Sequence, residues 1–305
     1  MTRVYLGLGS NLGDREAHLE LARRRLPEEG VSILAASSVE NTIPVGGIAQ
    51  PDFLNQVLEA ATDLSPHDLL RLCQIVEAEA GREPDGMRWG PRELDIDILL
   101  YDGTVIETDE LTIPHPGLVD REFVRRELAE IAPTLVADAV VLVEYDPAWS
   151  LTFEEEAARL RAKLGDAAEA VEHVGSTAVP GLISKAIIDV QVSVRSVAEI
   201  EGLRRQLEEL GYAYVPDPRF PTYPFFRYPV DGHRRFHLHV AEAGSIEEAE
   251  HIQFRDRLRA DPEIAEMYSD LKRELARRYF ADRVSYSNSK GGFIHGVLAP
   301  DGQSE

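Results

Sequence analysis

An α+β fold in two modules is predicted by two observations. Along the first half, apolar patterns alternate as strand, helix, strand, strand, helix, strand, the split β-α-β-β-α-β order of a ferredoxin-like fold. Near residue 144 the chain changes character, and a second series of glycine-flanked turns and buried strands begins. At 305 residues the chain is long for one compact domain and comfortable for two.

Each element has its own signal. Val4-Tyr5-Leu6-Gly7-Leu8-Gly9-Ser10 reads as a buried strand entering a glycine-rich turn, which either cradles phosphate or serves only as a tight turn. Asp14 is placed to cap a helix over Arg15 to Leu26. Val31 to Val39 is a second strand, and the prolines and glycines of 42–51 make a loop. Phe53 to Ala60 resumes a strand; Ser65-Pro66 starts a helix to about Ala80, which Gly81 ends. After a polar loop comes a strand holding Asp95 and Asp97, then a helix from Arg121 to Ile131. The boundary falls near Ala139 to Asp146, where a new strand Val140 to Val143 opens the second module.

Composition narrows the function classes. A formal charge of −22 argues against nucleic-acid or anionic-membrane partners. No apolar run is long enough to span a membrane, and the amino terminus carries no signal-peptide pattern. One cysteine, Cys73, in a helical run, fits a buried structural thiol and a cytoplasmic protein. The only lysines are Lys163, Lys185, Lys272 and Lys290, so phosphate in the first module must be held by arginine, histidine, backbone or metal.

The segment Arg88-Trp89-Gly90-Pro91-Arg92-Glu93-Leu94-Asp95-Ile96-Asp97-Ile98 carries the strongest chemistry. In a strand, Asp95 and Asp97 project to one face while Leu94, Ile96 and Ile98 face a core. Neighbouring carboxylates repel unless a cation lies between them, and Mg²⁺ held by one or two carboxylates plus substrate phosphates answers that need. Arg88 and Arg92 supply forked donors for phosphate oxygens, and Trp89 a stacking surface. The competing reading is a solvated strand with an acidic outer face.

Four motifs in order carry a resemblance: Gly9-Ser10-Asn11-Leu12-Gly13, Gln50-Pro51-Asp52-Phe53-Leu54-Asn55, the Arg88 to Leu100 stretch, and Leu111-Thr112-Ile113-Pro114-His115-Pro116. Residues 1–140 resemble the hydroxymethyldihydropterin pyrophosphokinase family of folate biosynthesis. The resemblance implies transfer of the β,γ-diphosphate of ATP to 6-hydroxymethyl-7,8-dihydropterin with release of AMP, and a functional link to other folate-pathway enzymes. It implies two Mg²⁺ ions on Asp95 and Asp97, and a pterin pocket lined by Thr42, Phe53, Asn55, Trp89 and Phe123. It also implies Arg82 and Arg92 closing over the triphosphate, with Arg88, Thr112, His115 and Arg121 on ATP. The run Arg82-Glu83-Pro84-Asp85-Gly86 departs from the family by lacking a second loop arginine. From the residues alone, His115 between two prolines is more often a loop histidine than a ligand, and Phe123 is equally a core residue.

The second module resembles the GrpB family over residues 143–298, through Gly175-Ser176-Thr177-Ala178-Val179-Pro180-Gly181, Ile187-Ile188-Asp189 and His237-Leu238-His239. That family is similar in layout to nucleotidyltransferases, which implies an α/β domain. Asp189 fills the first acidic position, but Gln191 stands where a second carboxylate is expected, and His237 and His239 where a third would fall. Asp189 with the histidines either binds an ion such as Mn²⁺ or Zn²⁺ or forms a satisfied structural cluster. Ser176, Lys185, Asp189, His237 and His239 are the candidate residues, the lysine for anion contact. Two readings of the whole chain follow: a diphosphokinase with an accessory domain, or a pterin- or nucleotide-binding regulatory unit serving a nucleotidyltransferase.

Overall fold

The structure is a computed structural model that describes residues 1–44, 49–82, 90–216, 223–228 and 236–299. It divides into two compact units, Met1–Val140 with Glu274–Tyr286, and Val141–Arg273 with Ser287–Glu305.

The first unit opens with β1 (Thr2–Ser10), α1 (Arg15–Glu28), β2 (Val31–Ala36), β3 (Glu40–Thr42), β4 (Phe53–Thr62), α2 (Pro66–Glu79) and β5 (Asp95–Tyr101). The sheet runs β2-β4-β1-β5, with β3 also paired to β4, and every pairing is antiparallel. Leaving aside β3, this is the ferredoxin-like order that the alternation predicts. Both helices start at side-chain caps: Asp14 accepts from the Ala17 N–H at 3.1 Å and Ser65 from the Asp68 N–H at 3.2 Å. They cover one face of the sheet, where Leu6, Leu8, Ile96 and Ile98 meet Leu19, Leu26, Leu69 and Val76. Cys73 lies in this core, 1% exposed, and burial pushes its thiol well above the ordinary range. The other face carries the polar residues described below.

A hairpin of β6 (Ile106–Glu107) and β7 (Thr112–Ile113) follows, then α3 (Gly117–Asp120), α4 (Glu122–Ile131) and α5 (Pro133–Ala137). Thr42, expected in a loop, ends β3 opposite Phe53. The strand expected at Val140 to Val143 does not form. Val143 makes an isolated bridge with Ser184, and the Val140 N–H donates to the Phe280 carbonyl at 2.7 Å. Its backbone groups thus find partners one at a time instead of along a ladder.

The second unit comprises α6 (Ala148–Leu164), β8 (Ala170–Val174), β9 (Ile188–Val194), α7 (Ile200–Glu209), β10 (Ala213–Val215), β11 (Phe225–Tyr228), β12 (Phe236–Glu242), α8 (Ile246–Ala260), most of α9 (Pro262–Arg278), and α11 (Gly291–Leu298); α10 (Arg283–Asn288) precedes the last. Its sheet order is β10-β11-β12-β9-β8, with β12 and β9 parallel and the other neighbours antiparallel. Val190, Val192, Leu238 and Val240 bury one face against Phe153, Leu160, Leu203 and Leu207 of α6 and α7. The strand expected from Lys185 begins only at Ile188, because a tight turn from the Ile187 N–H to the Lys185 carbonyl precedes it. No described helix is long and apolar enough to cross a membrane.

Candidate active site

The open face of the first sheet forms the floor of a cavity of about 550 Å³. β1 contributes Gly7 and Gly9 to it, in register with Asp97 and Asp95 of β5, and Gly9 also faces Asn55 of β4. A Cβ on Gly9 would lie 3.3 Å from Asn55 Oδ1 and 3.9 Å from the Asp95 Cβ. The glycines therefore keep open the space between the amide and the carboxylates.

Period-2 alternation places Asp95 and Asp97 side by side, while Ile96 and Ile98 are 4% and 3% exposed beneath them. Asp95 Oδ1 accepts from Arg82 Nη1 at 2.7 Å and Arg92 Nη1 at 2.9 Å. Arg82 Nη1 also lies 2.6 Å from Glu77 Oε1. Asp97 has more distant partners, His115 Nε2 at 3.6 Å and Arg121 Nη1 at 3.9 Å. Burial and the Asp95 charge raise its proton affinity, against the pull of His115, Arg121 and Arg92. The Gly117 N–H donates to His115 Nδ1 at 3.1 Å, which leaves the ring proton on Nε2, toward the carboxylate. Two carboxylates ringed by cationic donors, open to a cavity, fit a hard oxygen-bound cation such as Mg²⁺ shared with phosphate.

At another part of the cavity Asn55 Nδ2 donates to Thr42 Oγ1 at 2.7 Å, and Phe53 and Phe123 line the wall. The structure thus brings Thr42, Phe53, Asn55, Arg82, Arg92, Asp95, Asp97, His115, Arg121 and Phe123 to one cavity. Thr112, on β7 opposite Glu107, is not among the lining residues. Arg88 and Trp89 lie outside the described residues.

Three residues were not assigned roles from sequence. Asn11 joins the glycine-rich turn to two loops: its Oδ1 accepts from the Arg92 N–H at 2.7 Å and its Nδ2 donates to Gln50 Oε1 and the Pro51 carbonyl. Glu77 is buried, accepts from the Ile96 N–H at 2.7 Å, and burial pushes its carboxyl up to about 7 despite Arg82. Glu127 is 1% exposed and lines the cavity from α4. A helical-face count reveals both glutamates: Glu77 follows Leu69, Leu72, Cys73 and Val76, and Glu127 falls between Val124 and Leu128, all core-facing positions.

In the second unit, Asp189 on β9 faces His237 of β12 in direct register, and Gln191 faces His239. Asp189 Oδ1 lies 3.3 Å from His237 Nδ1 and 3.8 Å from His239 Nε2. Burial opposes ionisation of Asp189, but hydrogen bonds from both imidazoles hold its carboxyl far below the ordinary range. Gln191 is fully buried, its Nε2 donating to the Glu248 carbonyl and its Oε1 accepting from the Tyr223 hydroxyl. Gly175, at φ 70°, packs so closely that a Cβ would lie 2.4 Å from Asp189 Oδ2. Ser176 follows in a short 3₁₀ turn and hydrogen-bonds with Tyr268. Lys185 and Lys290 are half-buried, and burial together with Lys185 lowers the Lys290 amine to about 8. Among the described residues no group of three or more His, Cys, Asp or Glu is arranged to hold a metal ion.

Residues 5–133 match the family described as 7,8-dihydro-6-hydroxymethylpterin-pyrophosphokinase, and residues 139–299 match the GrpB protein family. The first unit is 45% identical over 137 residues to the 2-amino-4-hydroxy-6-hydroxymethyldihydropteridine pyrophosphokinase of Methylorubrum extorquens, covering 45% of this chain and 86% of that protein. It is 46% identical over 136 residues to the protein of the same name from Aquifex aeolicus, covering 45% and 84%. The crystal structure of conserved protein GrpB from Enterococcus faecalis aligns at 34% identity and a TM-score of 0.48, over 52% of this chain and 94% of that one. The chain therefore belongs to two families at once, the hydroxymethyldihydropterin pyrophosphokinases through its first unit and the GrpB proteins through its second.

Proposed function

We propose that the first unit transfers the β,γ-diphosphate of ATP to the hydroxymethyl oxygen of 6-hydroxymethyl-7,8-dihydropterin, an ATP-dependent step of folate biosynthesis. The observation that carries this reading is one cavity whose lining holds the Asp95/Asp97 pair together with the Asn55 amide and the Phe53 and Phe123 rings. Identity of about 45% to proteins named for this activity supports it. Asp95 and Asp97 would hold Mg²⁺, two ions in this reading, and the metal would supply charge stabilisation on the phosphates and acidify the acceptor hydroxyl.

The protein's own groups do the rest. The guanidiniums of Arg82 and Arg92, which pair with Asp95, would turn to phosphate oxygens, where forked donors suit the triphosphate. His115, with its proton on Nε2, and Arg121 donate to the phosphates from the Asp97 side. Asn55, held by Thr42, offers its amide oxygen to the pterin, while Phe53 and Phe123 hold the ring by its faces. The hydroxymethyl oxygen bonds the β-phosphorus as the bond from that phosphorus to the α,β-bridging oxygen breaks; the bridging oxygen leaves on the α-phosphorus as AMP, and the hydroxyl proton departs to solvent.

The second unit is read as an accessory domain. Its one carboxylate is occupied by two imidazoles, and a fully buried glutamine replaces the second. The test is AMP release by the full chain given ATP, Mg²⁺ and the dihydropterin, with a parallel reaction lacking the pterin. Pterin-dependent AMP is the expected result; folded protein that yields none overturns the assignment and moves attention to Asp189.

A further inference from the structure

We propose that Glu127 contacts the substrate: its carboxyl gives one hydrogen bond to the polar edge of the pterin ring and takes one from it, fixing the ring's orientation. This deepens the reading above and rests on it. Glu127 sits on α4 in the cavity wall, between the core residues Val124 and Leu128, in a lining shared with Asn55, Thr42 and Phe123. Its side chain is 1% exposed, and Oε1 is buried with no hydrogen-bond partner. A buried carboxyl oxygen left unpaired costs stability, so a bound group that completes it accounts for a carboxyl at this core-facing position.

The neighbouring charges do not complete it. Arg126, the next residue, pairs with Glu40 on β3 and with Glu122. Glu130 accepts from the Ser38 N–H and hydroxyl, and Arg125 donates to the Leu118 and Val119 carbonyls. Beyond these, the elements packed on α4 carry Asp120 on α3 and Glu59 on β4, while α5 has no ionisable side chain. Burial, then the charges of Glu40 and Glu130, push the Glu127 carboxyl up to about 8, with Arg126 opposing. It is therefore a neutral acid near pH 7, with a donor and an acceptor side by side. The lactam edge of a pterin presents an N–H beside a carbonyl oxygen, the complementary pair.

The experiment measures binding of the dihydropterin to the full chain, with Mg²⁺ and a non-transferable ATP analogue, across pH 6 to 9. The variants are Glu127→Leu, which keeps the volume but loses both hydrogen bonds, and Glu127→Gln, which keeps a donor and an acceptor but cannot titrate. At pH 6.5, Glu127→Leu is expected to weaken pterin binding about tenfold or more, with analogue affinity unchanged and Glu127→Gln within about threefold of the parent. Parent affinity relative to Glu127→Gln is expected to fall above pH 8. Unchanged pterin binding in Glu127→Leu overturns the contact. If Glu127→Leu does not fold, the parent-to-Gln ratio decides: a ratio flat with pH, or one rising above pH 8, overturns the neutral hydrogen bond. A parent protein that binds no pterin at any pH instead defeats the diphosphokinase reading.

Discussion

Each unit sets an aspartate on a sheet strand beside a close-packed glycine, yet the two neighbourhoods treat the carboxylate differently. Asp95 and Asp97 are balanced by guanidiniums from residues 82, 92 and 121, reaching in from outside the sheet. Asp189 is balanced from within its own sheet, by imidazoles on the adjoining strand. The difference lies in what can move. A loop-borne guanidinium can exchange its carboxylate for a phosphate at small cost, whereas an imidazole fixed in register on a central strand cannot withdraw without disturbing the sheet. Charge balance supplied by loops leaves a site available to ligands; balance supplied by the scaffold closes it.

The strongest way to break this comparison is to remove one carboxylate from each unit. Asp97→Ala is expected to lower pterin-dependent AMP release about 10³-fold while leaving pterin affinity largely intact. Asp189→Ala in the same assay is expected to leave turnover unchanged. Equal losses in the two variants would place Asp189 in the reaction and undo the division of roles.

Glycine substitutions sharpen the contrast. At Gly175 an added methyl meets the Asp189 carboxylate at 2.4 Å on a backbone of φ 70°. Gly175→Ala is expected to destabilise the second unit by about 3 kcal/mol, seen as an earlier urea transition. At Gly9 the added methyl meets Asn55 Oδ1 at 3.3 Å in a cavity. Gly9→Ala is expected to shift that transition by less than about 1 kcal/mol but to weaken pterin binding several-fold, measured by calorimetry.

A further expected effect concerns pH, and its sign differs between the units. Burial holds Glu127 neutral to about pH 8 against an ordinary value of 4.5, so the folded unit binds more protons than the unfolded chain between them. Stability of the first unit therefore falls as pH rises through that window. Burial lowers His173 from 6.5 to about 4, so the second unit loses stability as pH falls through that window. The full shifts correspond to at most about 5 and about 3 kcal/mol. Melting of Glu127→Gln and His173→Gln beside the parent at pH 5 and pH 8 checks both signs. Trp149 fluorescence in a Trp89→Phe background reports the second unit.

The Asp95/Asp97 pair was legible in the sequence because alternation alone decides which side chains share a face of a strand, and the two carboxylates sit two apart among apolar residues. The ferredoxin-like order was legible for the same reason, since α1 and α2 announce their starts with Asp14 and Ser65. Val140 to Val143 misled because an apolar, β-branched run states only that a segment favours extension, not that a partner strand lies beside it. Asn11 belonged to a recognised motif, but its work of joining Arg92 to Gln50 depends on contacts 81 and 39 residues away, which no local pattern encodes. Glu127 was readable in principle, as a charge on the apolar stripe of a helix, yet its meaning came only from the cavity in front of it.

The bare floor laid down by Gly7 and Gly9 bears on inhibitor resistance. A compound that rests on main-chain atoms of β1 touches groups whose positions are set by sheet register and not by side-chain identity. Point mutation can change that surface only by adding atoms at residue 7 or 9, and any added atom enters the space that the natural substrate is proposed to use. Escape at the floor would thus impair the enzyme along with the drug, whereas compounds anchored on the Phe53 or Phe123 rings would leave the protein freer to evade them.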